Sequence, residues 1–202
     1  PNTNERLEVL GIDDLIVHEQ PPQRLPTMIV AFAGWPDASD SDTGAVRHLI
    51  DGLPATKFAV IDPEEFFDFT SVRPETLINE EGERVIRWPA NEFYYYTDDD
   101  PSRNLLLFVG TEPNLKWRAF SKLMVGVAEQ NGVELVVSLG ALLDAVPHTR
   151  DFLVAGRASS PELEQKVQWL GVRNSGYQGP TGIHTAFMDA CNRSGLSQAS
   201  IW

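Results

Sequence analysis

The residues best suited to chemistry in this sequence fall on turns. Pro147-His148-Thr149-Arg150 sets an imidazole two residues from a guanidinium. The first titrates near neutral pH, and the second can grip a carboxylate or phosphate. Gly179-Pro-Thr-Gly182 is an uncharged loop just ahead of an apolar helical stretch. There, backbone N–H groups point outward at a helix start, and Thr181 adds a hydroxyl. Gly179, Thr181, Gly182, His148 and Arg150 are therefore candidates to surround a small anionic or nucleoside-like ligand, with Asp37 or Glu112 as the acid. Each has a structural explanation too. A glycine loop is the ordinary way to turn and cap a helix, and a surface His or Arg pairs with solvent or neighbouring acids. Gly34-Trp-Pro-Asp37 has the layout of a phosphate loop, but Asp37, Asp40 and Asp42 already load the positive end of the helix that follows. A phosphate would be repelled there.

Other chemistries lack their residues. No Gly-Lys pair, Gly-x-Gly-x-x-Gly, Gly-x-Ser-x-Gly or His-Glu-x-x-His occurs, and no paired Cys/His spacing suggests zinc. No metal or cofactor is implied. His18 lies in an N-terminal arm and His48 on a helix. His184 falls in the first turn of a helix, where the dipole favours a neutral ring. Cys191 is the single cysteine, on an apolar helix face. It reads as a packing residue, and a disulfide within the chain is impossible. With 16 basic against 29 acidic residues and a net charge of -13, the chain is a poor partner for nucleic acid. Neither a signal peptide nor a membrane-length apolar run is present, so a cytoplasmic protein without a membrane role is expected.

The elements that must position these residues alternate. Met28-Ile-Val-Ala-Phe-Ala33 reads as a buried strand, followed by a helix over 39–51. Lys57–Asp62 is a strand. Thr76–Ile78 and Arg84–Trp88 form a hairpin, and 72–96 is an excursion from the main sheet. Phe93–Tyr96 and Asn104–Val109 are strands split by an acidic turn. Leu115, Ala119, Phe120, Leu123, Met124 and Val127 recur at helical spacing from Pro113 to Asn131-Gly132. Glu134–Ser138 is a strand. Ser159-Ser-Pro-Glu162 opens a helix that Gly171 closes, and Ile183 to Gly195 is another, before a last strand from Gln198. At 202 residues one domain suffices, after a short arm, Leu7 to Val17. The alternation predicts an α/β fold, a three-layer α/β/α sandwich on a largely parallel or mixed sheet. Ligands of such sheets sit beyond the strands' carboxyl ends, where Gly34–Gly44, Gly110–Asn114, Gly140–Arg150 and Gly179–His184 should gather.

Taken in order, Gly34-Trp-Pro-Asp-Ala38 with Thr43-Gly44, Val137-Ser-Leu-Gly140 leading to Val146-Pro-His-Thr149, and Gly179-Pro-Thr-Gly-Ile183 resemble the PAC2 family, the proteasome-assembly-chaperone type 2 group. The similarity runs from about Leu15 to the end, and the chain looks like an actinobacterial member, which normally continues with further strand and helical segments. A fragment truncated at its C-terminus, of bacterial origin, is the expectation. The resemblance implies a phosphorylase/hydrolase-like sandwich, homotrimeric assembly and kinship with proteasome-assembly subunits. It brings no catalytic residues.

Two functions follow. The first is a protein that assembles with itself and with other proteins, served by aromatics such as Trp35, Trp88 and Tyr94–Tyr96 if these are exposed. The second is a phosphorylase/hydrolase-like enzyme or small-ligand binder built on the rim residues named above. Without a complete catalytic motif, the sequence leans toward the first.

Overall fold

The apolar run at Met28 becomes the middle of one sheet. A computed structural model describes residues 14–151 and 153–202. In it β2 (Thr27–Ala33) lies between β7 (Leu105–Thr111) and β8 (Leu135–Leu139), parallel to both. A strand covered on both faces can be apolar at every position, which is why these runs do not alternate. The sheet is completed by β1 (Leu15–Val17), β3 (Thr56–Ile61), β6 (Asn91–Tyr96), β9 (Ala155–Ala158), β10 (Arg173–Asn174) and β11 (Ser197–Ile201). Its order is β1-β3-β6-β7-β2-β8-β11-β9-β10. The central strands β7, β2, β8 and β11 are mutually parallel, while β6 on one side and β9 on the other pair antiparallel.

Helices pack on both faces. Met28, Val30 and Phe32 share a core with Phe120 and Met124 of α2 (Trp117–Gln130) and with Phe187 and Cys191 of α4 (Ile183–Ser194). Phe32 meets Phe108 at 5.0 Å and Phe120 at 6.0 Å between ring centroids. Burying each such ring stabilises the fold by about 1.5–3 kcal/mol. On the opposite face Ala31 and Val109 pack with Val46 of α1 (Ser41–Gly52), and Ala199 packs with Val167 of α3 (Pro161–Trp169). The register Ile29, Val137, Ala199 across β2, β8 and β11 puts those two clusters on one side. The result is the expected three-layer α/β/α sandwich on a mixed sheet. Cys191 is buried and free, and burial pushes its thiol up to about 12, so it is the inert packing residue its position suggested.

Several boundaries shift for local reasons. α2 begins at Trp117 rather than Pro113 because the N–H groups of Asn114 and Leu115 both donate to the Phe66 carbonyl, at 3.0 and 3.0 Å. Among the described residues β4 (Glu75–Ile78) and β5 (Arg84–Arg87) pair only with each other, as a hairpin off the main sheet, whereas Asn91–Tyr96 is β6 within it. Of the N-terminal arm, Leu15–Val17 forms an antiparallel edge on β3, and residues 7–13 lie outside the described residues. Strands β9 and β10 are too short and too polar to announce themselves by pattern.

Candidate functional site

The four turn segments do meet at the carboxyl edge of the sheet. The Ala141 N–H donates to the Pro36 carbonyl at 2.7 Å, and the Ala38 N–H to the Ala141 carbonyl at 3.1 Å, joining the ends of β2 and β8. Beside them the Glu112 N–H donates to the Ala33 carbonyl at 2.8 Å. Gly34 makes the exit turn at φ 131, a region that L side chains rarely enter.

Asp37 is buried here, and both of its carboxylate oxygens face α1. One accepts from the N–H groups of Asp42 (3.1 Å) and Thr43 (3.3 Å), and the other accepts the Thr43 hydroxyl at 2.5 Å. An N-cap residue normally sits beside the first turn, but Asp37 does this work from five residues away because Ser39 and Asp40 both adopt left-handed backbone, φ 57 and 54. Two such non-glycine residues cost about 1–2 kcal/mol each, offset in part by these bonds and by Ser41 Oγ donating to the Ala38 carbonyl at 2.6 Å. The Asp42 carboxylate, also buried, has no hydrogen-bond partner among the described residues.

Glu112 does for α4 what Asp37 does for α1. Its Oε1 accepts from the Ile183 N–H at 2.8 Å, so a carboxylate from the end of β7 sits on the positive end of α4. Gly182 makes this approach possible, since a Cβ there would lie 2.8 Å from the same oxygen. The anion expected at the Gly179–Gly182 loop is therefore matched by one the chain supplies itself. Within the loop, the Tyr177 hydroxyl donates to the Pro180 carbonyl at 2.9 Å, and Gly179 and Thr181 face solvent. His148 and Arg150 are also exposed, on the segment after β8, where the Arg150 N–H donates to the Pro147 carbonyl at 2.9 Å. No hydrogen bond or ion pair joins either side chain to Gly179, Thr181, Gly182 or Glu112 among the described residues. The structure thus brings Asp37, Glu112 and Gly182 to one edge, with His148 and Arg150 on a separate exposed turn.

His184 lies one residue inside α4 and is 1% exposed. Its ring is held edge-on between Phe32 and Trp202, at 5.1 Å from each. Burial pushes its pKa down to about 4, partly offset by the Leu139 carbonyl and the Asp37 carboxylate, so it is neutral at neutral pH. The contact with the Leu139 carbonyl falls short of normal hydrogen-bond geometry, so neither ring nitrogen has a well-formed partner among the described residues. An unmet buried donor or acceptor costs about 1–3 kcal/mol.

Large apolar side chains are exposed at the same edge. Trp35 is 59% exposed, Leu142 58% and Leu143 86%, with Val146 and Leu153 also open to solvent. The 141–153 segment carries no sequence pattern that separates such leucines from core. Of the other aromatics singled out, Trp88 is exposed and packs on Phe69, whereas Tyr94, Tyr95 and Tyr96 are half-buried with hydroxyls on Glu92, Glu19 and Asp98. Among the described residues no His/Cys/Asp/Glu group is arranged to hold a metal, and no helix is long and apolar enough to cross a membrane.

Comparison with known proteins places this geometry. A PAC2 family protein from Streptomyces avermitilis is 36% identical and superposes with a TM-score of 0.78, over 88% of this chain and 74% of that one. A Mycobacterium tuberculosis proteasome-assembly chaperone homologue is 34% identical, with a TM-score of 0.78 over 87% of this chain and 73% of that one. A Pyrococcus furiosus archaeal proteasome activator shares the fold at 20% identity, with a TM-score of 0.73 over 93% of this chain and 78% of that one. No curated protein matches. The model of the PAC2 family matches residues 31–202, most of the sheet and every helix described above, and the chain belongs to that family.

Proposed function

We propose that this chain acts through protein contacts, assembling with itself as a homotrimer and holding protein partners in the manner of an assembly chaperone in the cytoplasm. The observation that carries this reading is the apolar strip at the carboxyl edge, Trp35 with Leu142 and Leu143, held together by the Pro36 to Ala141 hydrogen bond. Large apolar side chains left exposed near one another in the fold are candidates for an interaction site. Each leucine that a partner covers contributes about 1.5–3 kcal/mol. A relative 34% identical is described as a proteasome-assembly chaperone homologue, which supports the same class of partner. A reaction at the rim has less support, because both oxygens of Asp37 and one of Glu112 already hold helix N-termini. Light scattering on the purified protein across micromolar concentrations tests the reading. It predicts a mass three times that of the chain, and a strict monomer would contradict it.

A further inference from the structure

We infer that the cleft between α4 and the outer strands β9 and β11 is a binding site for a small organic molecule bearing an oxyanion, a carboxylate or phosphate group. The cleft, open to solvent on one side, holds about 350 Å³, within the range of small-molecule sites. His184, Thr185 and Met188 of α4 form one wall, and Arg157, Ser200 and Trp202 form the other. The register explains the second wall: Arg157 of β9 pairs with Ser200 of β11, so both side chains point to the α4 face.

Two independent observations point to a ligand here. His184 lines the cleft while 1% exposed, and among the described residues neither ring nitrogen has a well-formed hydrogen bond, the Leu139 carbonyl being the one backbone group that acts on it; buried polar groups are normally satisfied. Arg157 is also uncommitted. In a chain with 29 acidic and 16 basic residues, this cleft is lined by a guanidinium and by no carboxylate, and Arg157 takes part in none of the ion pairs among the described residues. A guanidinium fork matches an oxyanion in two parallel hydrogen bonds. Trp202 and Met188 offer apolar contact to the rest of the molecule, and a neutral imidazole gives or takes one hydrogen bond. None of Gly179–Gly182 lines the cleft, although His184 directly follows that loop, and the inference does not rest on the self-assembly reading.

The test titrates inorganic phosphate, acetate and benzoate into the intact protein, read by calorimetry and by nitrogen-detected NMR of the His184 ring. Saturable binding of at least one probe, with a shift of the His184 nitrogens, is expected. Arg157→Gln, at an exposed position that leaves the fold intact, should weaken that binding at least about tenfold, whereas Arg150→Gln should leave it unchanged. No saturation by any probe at tens of millimolar would overturn the inference. So would binding that Arg150→Gln abolishes and Arg157→Gln does not.

Discussion

The rim of the sheet and the cleft under α4 lie on two sides of the same helix start, and they use their polar groups in opposite ways. At the rim, Asp37 and Glu112 look like chemistry and are anchors: their oxygens accept the N–H groups that open α1 and α4. In the cleft, His184 and Arg157 attract less notice in the sequence, yet among the described residues His184 has no well-formed hydrogen bond and Arg157 no ion pair. The difference teaches that an acid beside a glycine turn says little until its partners are known. What matters is whether the folded chain already satisfies it.

Breaking the rim should cost stability most. Asp37→Ala removes three charge-assisted bonds and leaves two left-handed residues unsupported, so a loss of about 3 kcal/mol is expected in denaturant unfolding, with Asp37→Asn recovering part of it. Next in size is a pH effect at the cleft. The folded pKa of His184, about 4, lies below its ordinary 6.5, so the unfolded chain binds the proton more readily. Its contribution is therefore complete above pH 6.5 and declines as pH falls toward 4, by about 3 kcal/mol at most. The Asp37 carboxylate favours the charged ring and so opposes part of that shift. Thermal melts of His184→Leu should lose that slope, while melts of His148→Ala should keep it.

Glu112→Ala should cost less, about 1–2 kcal/mol, because it removes one cap bond at the edge. Glu112→Gln, which keeps an acceptor, should cost about half as much. Smallest of all is Arg150→Ala, expected within about 0.5 kcal/mol of the parent because its side chain is exposed and makes no ion pair among the described residues. A loss at Arg150 comparable to that at Asp37 would erase the distinction between anchor and exposed turn.

Much of this architecture was legible in the residues. The apolar runs at Met28, Leu105 and Leu135 became the buried parallel centre, and Ser160 caps α3 through the Leu163 N–H at 3.2 Å, as its Ser-Pro-Glu signature implies. The gathering of turns at one edge also followed from strand and helix alternation. What local pattern does not carry is a contact between distant segments. Glu112 lies 71 residues from the Ile183 N–H it caps, and Arg157 enters the cleft only because β9 runs antiparallel beside β11. His184 looked like a neutral first-turn imidazole and is one, but Trp202 and Phe32 enclosing it depend on tertiary packing. The exposure of Leu142 and Leu143 was equally hidden, since a short apolar pair reads the same in a core or on a surface.

The claim that this PAC2 family member works through its apolar carboxyl edge is tested most directly by sedimentation velocity of the parent and of Leu143→Glu at matched micromolar concentrations. Leu143 is 86% exposed, so the substitution should leave the fold intact. The account predicts a trimer for the parent and a shift to monomer for the variant. A parent that sediments as a monomer, or a variant that stays fully assembled, would contradict it.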